Sequence, residues 1–486
     1  MYSSVERLVK ESRVFSHFQK INMIPRCTGK EEAISSYLLN WALGQGLEAR
    51  QDDALNIFIK KMGSLGRETE PSLLLQAHMD MVCQKRPDST HDFKSDPINL
   101  KLDDDWLVSE SGTSLGADNG IGMALIMAVL EDKGISHPPL EVLFTTREES
   151  DMHGALSVDV SWISAKRMIN LDTSPDDRVL SGASGGTALS LHLPLKYQPL
   201  PSNHKVFYLE ISGLKGGHSG ADINKGYGNA NVILGRVLLA MHKQIPLYVA
   251  DIGGGSMGSA LPREAWAKVC LPATAVSGAK SVCDSLLHDF KNEFQATSPD
   301  ISLTLTPVDE IYSQVFSTVV IQKIIKICLL SPNGIQEMLG AMPKVVESSN
   351  NLGIIKKKND EIVFTNELRA LYPSTLRLLL DKLELVSAIV GASTHQFDSY
   401  PAWGYQPDSL LREKVLQVYL EQVGEEMASL VVHSGSEVGV FISRIEGLDA
   451  VALGPTRLYF HTPEERLYIP SVNKVWRILV QVLSEL

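Results

Sequence analysis

The residues able to do chemistry stand at a few short, widely separated places. His78 and Asp80 are spaced HxD. A neutral imidazole binds a divalent metal, and a carboxylate two residues on can hydrogen-bond it and set its tautomer. Alone, the pair is equally a capped or solvated histidine. Asp118 lies in the Gly-Ala-Asp-Asn-Gly turn of residues 116–120, just ahead of an apolar stretch. A carboxylate there complements a helix dipole, or simply caps the helix. Glu148 and Glu149 are adjacent and follow an apolar run. Two such neighbours repel each other and are tolerable beside a cation, where one can ligate and the other can act as base. The plain alternative is a solvated loop. Asp172 closes another apolar run, as a turn-starting Asp also would. His461 sits in Tyr459-Phe460-His461-Thr462-Pro463. Together, two histidines (His78, His461) and three acids (Asp118, Glu149, Asp172) offer enough nitrogen and oxygen ligands for two zinc-like ions. A two-metal site polarises a carbonyl and makes hydroxide from water near neutral pH, with Glu148 left over as general base.

Strand ends must hold these residues. Residues 55–59 alternate and predict a strand. Three short apolar runs follow, at 72–77, 140–146 and 168–171, each ending in a polar cluster: His78-Met79-Asp80, Arg147-Glu148-Glu149 and Asp172. A helix of about ten apolar residues opens at the 116–120 turn. Alternating strands and helices predict an α/β fold with a mixed, mostly parallel sheet flanked by helices. In such sheets ligands bind beyond the carboxyl ends of the strands, where all three polar clusters lie. Thr28 and Glu31 read as a capping box for a helix carrying Ile34, Leu38 and Trp41. A Gly-rich turn at 182–186 ends the pattern. Residues 187–390 have an α+β rhythm: a strand at 207–211, a helix at 229–242, a strand at 260–271, a hairpin at 354–369 and a helix at 374–390. The last hundred residues return to alternation and should complete the first sheet. The expected division is therefore 1–186 and 391–486 as one discontinuous domain, with 187–390 inserted.

Composition excludes several classes of function. With 45 Lys+Arg against 57 Asp+Glu, the net charge is −12. That argues against nucleic-acid or anionic-membrane partners, which need a basic face. The longest apolar run, around residues 121–130, is about half the ~20 residues of a membrane span. The N-terminus carries charges throughout, unlike a signal peptide. The five cysteines, Cys27, Cys83, Cys270, Cys283 and Cys328, are odd in number and widely spaced. They suggest no disulfide framework and no thiolate zinc site, so a reducing cytoplasm is expected.

Several longer segments carry a resemblance. They are QAHMDMVCQ at 76–84, HDF at 91–93, TSLGADNGIG at 113–122, Arg147-Glu148-Glu149, GLKGGHSG at 213–220, GNAN at 228–231, PREA at 262–265 and GPTRLYFH at 454–461. On these the chain resembles the di-zinc aminoacylase/carboxypeptidase-type metallopeptidases over essentially its whole length, and among them the branch that cleaves dipeptides with C-terminal histidine. The resemblance implies the following roles. Asp118 bridges two metals, His78 and Asp172 complete one ligand set, and Glu149 and His461 complete the other. Asp80 orients His78, Glu148 activates water, and the peptide bond after Asp118 is cis. Residues 187–390 become a lid that also carries a dimer contact. His218 reaches the active site from that lid, in its own or a partner subunit, and stabilises the oxyanion. Arg369 takes the substrate carboxylate, with Asn351, His433 and Glu437 as further pocket residues. The implied cofactors are two divalent metals, zinc first, with manganese and cobalt as alternatives. The implied partner is a small peptide, and a homodimer is expected. The alternatives are an N-acyl-amino-acid amidohydrolase, a tripeptidase, or an inactive peptide-binding member. The chain departs from the family pattern at Arg147, a cation beside the base that Asp151 would neutralise. It departs again at Gly258-Ser259, where relatives carry Arg-Asn.

Overall fold

The protein is described by a computed structural model covering residues 4–486. The chain forms two compact units. One comprises the residues up to Gly182 with Trp403–Val431 and Ser436–Leu486; the other comprises Ala183–Ala402 and Val432–Gly435.

The first unit is built on an eight-stranded sheet. Its order is Glu48–Gln51, Ile57–Lys61, Leu140–Thr145, Leu73–His78, Arg167–Asn170, Asp449–Ala452, Arg178–Ala183, Ala428–Val432. The four strands Leu140–Thr145, Leu73–His78, Arg167–Asn170 and Asp449–Ala452 run parallel. Leu73–His78 and Leu140–Thr145 are buried at every position. This is why they read as unbroken apolar runs and not as alternations. Antiparallel strands flank this centre at Ile57–Lys61 and at Arg178–Ala183. The helix Ala117–Glu131 is apolar all round and buried from Ala117 through Leu130, so it is a core helix. A Cβ at Gly122 would stand 2.8 Å from the Leu171 carbonyl oxygen, so only glycine lets this helix lie against the loop bearing Asp172.

The second unit is a nine-stranded sheet. Its order is Ser302–Val308, His204–Ser212, Ala265–Pro272, Tyr248–Gly254, Val346–Lys358, Glu361–Ala370, Gly185–Pro194, Ser393–Tyr400, with Gly334–Met338 also paired to Val346–Lys358. These pairings are antiparallel. The helices Ala230–Gln244, Thr318–Leu330 and Pro373–Val390 bury Val237, Ile324 and Leu383 with Leu209 and Phe364 of the sheet in one core.

Four expectations are corrected. The second boundary falls after Ala402 and not after residue 390, because Ser393–Tyr400 pairs with Gly185–Pro194. No turn spans 182–186; the strands Arg178–Ala183 and Gly185–Pro194 follow each other with Ser184 alone between them. The capping box does not form. Helix Glu32–Gly44 has no side-chain cap, and the Thr28 hydroxyl donates to Asp80 Oδ2 at 2.9 Å. Cys27 and Cys83 form a disulfide, with Cα atoms 5.5 Å apart. Spacing hides this pairing because tertiary contact creates it: Met81 N–H donates to the Arg26 carbonyl and Thr28 N–H to the Met81 carbonyl. Cys270, Cys283 and Cys328 are free and buried.

Candidate active site

The four parallel strands deliver their following loops to one edge of the first unit's sheet. His78 ends Leu73–His78, Glu148 and Glu149 follow Leu140–Thr145, Asp172 follows Arg167–Asn170, and the segment running to His461 follows Asp449–Ala452. Asp118 joins them from the start of the core helix, after the Gly116 turn at φ 69°. The Asp118–Asn119 peptide bond is cis.

Two donor sets share Asp118. His78 Nε2 lies 3.2 Å from Asp118 Oδ1, 3.5 Å from Asp172 Oδ2 and 4.0 Å from Glu148 Oε2. His461 Nε2 lies 2.9 Å from Glu149 Oε1 and 3.5 Å from Asp118 Oδ2. Metal–ligand bonds near 2 Å in tetrahedral array separate neighbouring ligand atoms by about 3.3 Å. The ligand atoms of His78, Asp118 and Glu149, and again those of His78, Glu148 and Asp172, all lie within 4.8 Å of one another, close enough to hold a divalent ion. The electrostatics agree. Burial alone would depress the His78 imidazole, yet Asp172, Asp118, Asp80 and Glu148 hold it well above its ordinary value. Burial would depress His461 too, but Asp118 and Glu149 raise it to about 10. Burial and the charge of Asp118 lift Asp172 to about 6. Burial likewise lifts Glu148 well above the carboxylate range, opposed by His78 and helped by Asp172, Glu437 and Glu149. Asp118 runs the other way: burial would raise it, but Arg457, His461 and His78 hold it well below the usual carboxylate range. The upward shifts of Asp172, Glu148 and both histidines mark a crowd of acids that added cations would relieve.

Asp80 organises the edge. It is fully buried, and its Oδ1 and Oδ2 accept the backbone N–H groups of Glu148 and Glu149 at 3.0 and 3.2 Å. Its backbone oxygen is 3.1 Å from His78 Nδ1. Burial favours its neutral form, but the hydrogen bond and charge of His78 outweigh that and keep it ionised. Arg147 pairs with Asp151 at 2.5 Å. Arg147, Tyr459 and His461 all hold φ between 55° and 63°, so non-glycine left-handed backbone clusters at the ligand loops.

Three residues of this edge escape sequence reasoning. Glu465, buried, accepts the N–H groups of Leu115, Gly116 and Asp118 and so fixes the turn that presents Asp118. The paired acids Glu464-Glu465 after His461 were its only signal. Arg26, also buried, donates to the carbonyls of Met79, Asp80 and Gly116. Arg457, 4% exposed in its side chain, donates to Asp118 and Asp172. Glu437 lies in this unit. It is buried and accepts from Gln76 Nε2 at 2.7 Å and from Thr145 Oγ1 at 2.8 Å, and burial lifts it to about 7.

The remaining candidates lie in the second unit. His218 is exposed. Its Nδ1 accepts the N–H groups of Gly220 and Ala221, both at 3.1 Å, so the ring proton resides on Nε2 and makes that atom a donor. Desolvation of the ring by its immediate neighbours, although the residue keeps an exposed face, and the charge of Arg369 lower its pKa, which favours this neutral form. Arg369 is 5% exposed and donates to Tyr400 Oη at 2.5 Å, Glu367 Oε1 at 3.2 Å and Ser219 Oγ at 3.4 Å. Asn351 uses its amide N–H groups on the Gly258 and Ala260 carbonyls, bracing the loop that departs from the family pattern. His433 Nε2 meets Ser349 Oγ at 2.7 Å.

The model for peptidase family M20/M25/M40 matches residues 74–485. The chain is 34% identical over 471 residues to the cytosol non-specific dipeptidase of Escherichia coli (strain K12), covering 96% of each. It is similar to the solved aminoacylhistidine dipeptidase of Vibrio alginolyticus, with a TM-score of 0.91, 34% identity, and 98% of this chain and 96% of that one covered. The fold extends to the aminopeptidase PepT of Bacillus cereus, at a TM-score of 0.58 and 16% identity over 97% of this chain and 98% of that one.

Proposed function

The chain belongs to peptidase family M20/M25/M40, and on that premise we propose that it is a two-metal hydrolase of small unblocked dipeptides, with C-terminal histidine preferred. The observation that carries the reading is the convergence of His78, Asp118, Asp172, Glu149 and His461 at one sheet edge, with Glu148 beside them. Two divalent ions there, zinc before manganese or cobalt, would polarise the scissile carbonyl and ease ionisation of water.

The chain's own residues do the rest. Asp80 holds the backbone of Glu148 and Glu149, which aims both carboxylates. Glu148 takes the proton of the attacking water and returns it to the leaving amine. His218 offers its Nε2–H to the carbonyl oxygen as negative charge develops there. Arg369 receives the peptide's terminal carboxylate, its fork held in plane by Tyr400 and Glu367. Asn351 shapes that pocket by bracing residues 258–260, and His433 lines it. Glu437 acts from beneath, through Gln76 and Thr145. The expected setting is cytoplasmic and the expected assembly a homodimer, with no nucleic-acid or membrane partner. Among the described residues no helix is long and apolar enough to cross a membrane.

The test is hydrolysis of β-alanyl-histidine by zinc- or manganese-loaded protein, beside an N-acetylated amino acid. Cleavage of the free dipeptide alone is expected. Cleavage of the acetylated compound alone would make the protein an amidohydrolase of the same family.

A further inference from the structure

Arg457 has no role in the reaction described above, yet its guanidinium touches two of the five ligands. One terminal nitrogen, Nη1, is 2.8 Å from Asp118 Oδ1, and the other, Nη2, is 3.1 Å from Asp172 Oδ1. Asp172 lies on the His78 side alone, and Asp118 is shared, but the oxygen Arg457 touches, Oδ1, is the one facing His78, whereas Oδ2 faces His461. The residue cannot easily move away. Its backbone N–H donates to Ser174 Oγ at 2.8 Å, the Ser174 hydroxyl donates to its carbonyl at 3.0 Å, and it pairs with Leu467 in a short antiparallel ladder. Its Nε is buried with no partner, so the guanidinium is committed to the two carboxylates alone.

Chemistry gives this placement a consequence. Arg457 approaches the Oδ1 of Asp172, whereas the Oδ2 is the oxygen that faces His78 Nε2. A carboxylate oxygen that accepts from a fixed guanidinium has one lone pair fewer for an ion and gives part of its charge to the guanidinium. Asp118 Oδ1 likewise keeps one lone pair fewer. A permanent positive charge also stands beside the position where a second would bind, and like charges at such range repel strongly in a buried site.

We propose that Arg457 is a positioning residue that makes the two metal positions unequal, so that the ion held by His78 and Asp172 binds more weakly than the ion held by Glu149 and His461. The proposal rests on the two-metal reading of the site. The chain fills the His461 position first, and Arg457 holds Asp118 and Asp172 in place while the other position awaits its ion.

Zinc titration of chelator-stripped protein, by competition with a chromogenic chelator, tests this on the wild type, Arg457→Gln, Arg457→Lys and His461→Ala. The wild type should show two classes of site separated by about tenfold or more, and His461→Ala should retain the weaker class. Arg457→Gln should tighten the weaker class by about tenfold, leave the tighter one within about twofold, and lower the melting temperature of the metal-free protein. Arg457→Lys, which cannot span both oxygens, should tighten the weaker class by a smaller factor and covers the case in which the glutamine variant does not fold. Equal sites in the wild type, or a weaker class unmoved or loosened in both variants, overturns the proposal. A wild type that takes up no zinc at all would overturn the two-metal reading itself, and is recognisable because nothing titrates.

Discussion

The two units hold their candidate residues by different physics. In the first, charged side chains are fixed through the backbone. Asp80 grips the N–H groups of Glu148 and Glu149, and Glu465 grips those of Leu115, Gly116 and Asp118. In the second, polar side chains are tied to one another: Arg369 to Tyr400, Glu367 and Ser219, and His433 to Ser349. Backbone anchoring preorganises a charge cage, and reorganisation there is costly. Side-chain anchoring makes a recognition surface whose partners can exchange. Substitutions in the first unit should therefore move metal content and turnover, and those in the second should move turnover or KM with metal content unchanged.

The largest break is expected at Asp118→Ala. It removes the one carboxylate shared by both ligand sets, so both ions should be lost together. A centre contributing several kcal/mol to the transition state makes that about a thousandfold or greater loss of kcat/KM. Metal analysis after gel filtration, run beside the assay, checks the link between the two losses. Next in size is His218→Ala, where kcat should fall about 10²–10³-fold while metal content stays intact. Loss of metal from this variant would break the division between the units. Glu465→Ala touches neither substrate nor metal. It strands three N–H groups next to Asp118, so metal affinity should drop about tenfold, and unfolding should cost roughly 2 kcal/mol less. Chelator competition and chemical denaturation measure both.

The smallest effect concerns acid stability. Burial and the charge of Arg369 depress His433 to about 3. The unfolded chain takes up this proton near the ordinary histidine pKa of about 6.5, whereas the folded unit refuses it until about 3. Stability is thus lost as pH falls from about 6.5 toward 3, and His433→Gln should flatten that slope in denaturation curves taken at successive pH values.

The sequence makes the first unit's site legible because its signals are local. Buried parallel strands are continuous apolar runs, and each leads to a candidate site residue. His78, Glu148, Glu149 and Asp172 could be found by walking to the ends of those runs. Arg457, Arg26 and Glu465 could not, because their partners lie 339, 53 or 54, and about 350 residues away in the chain. Thr28 was misread for the same reason: a local capping rule lost to a contact with Asp80. The boundary near 390 failed because Ser393–Tyr400 is an edge strand, mostly exposed and without apolar alternation, so nothing in its composition announces a strand. In the second unit the pairing of Arg369 with Tyr400 depends on the register of neighbouring strands, which no short motif encodes.

The measurement closest to the central claim is the turnover of β-alanyl-histidine by Glu148→Gln with its metal content determined on the same sample. This variant keeps the shape of the side chain and removes only its capacity to take a proton. Two ions per chain, as in the wild type, and a loss in kcat of about 10²–10⁴-fold are expected. Turnover within a few fold of the wild type, with both ions in place, would contradict that claim.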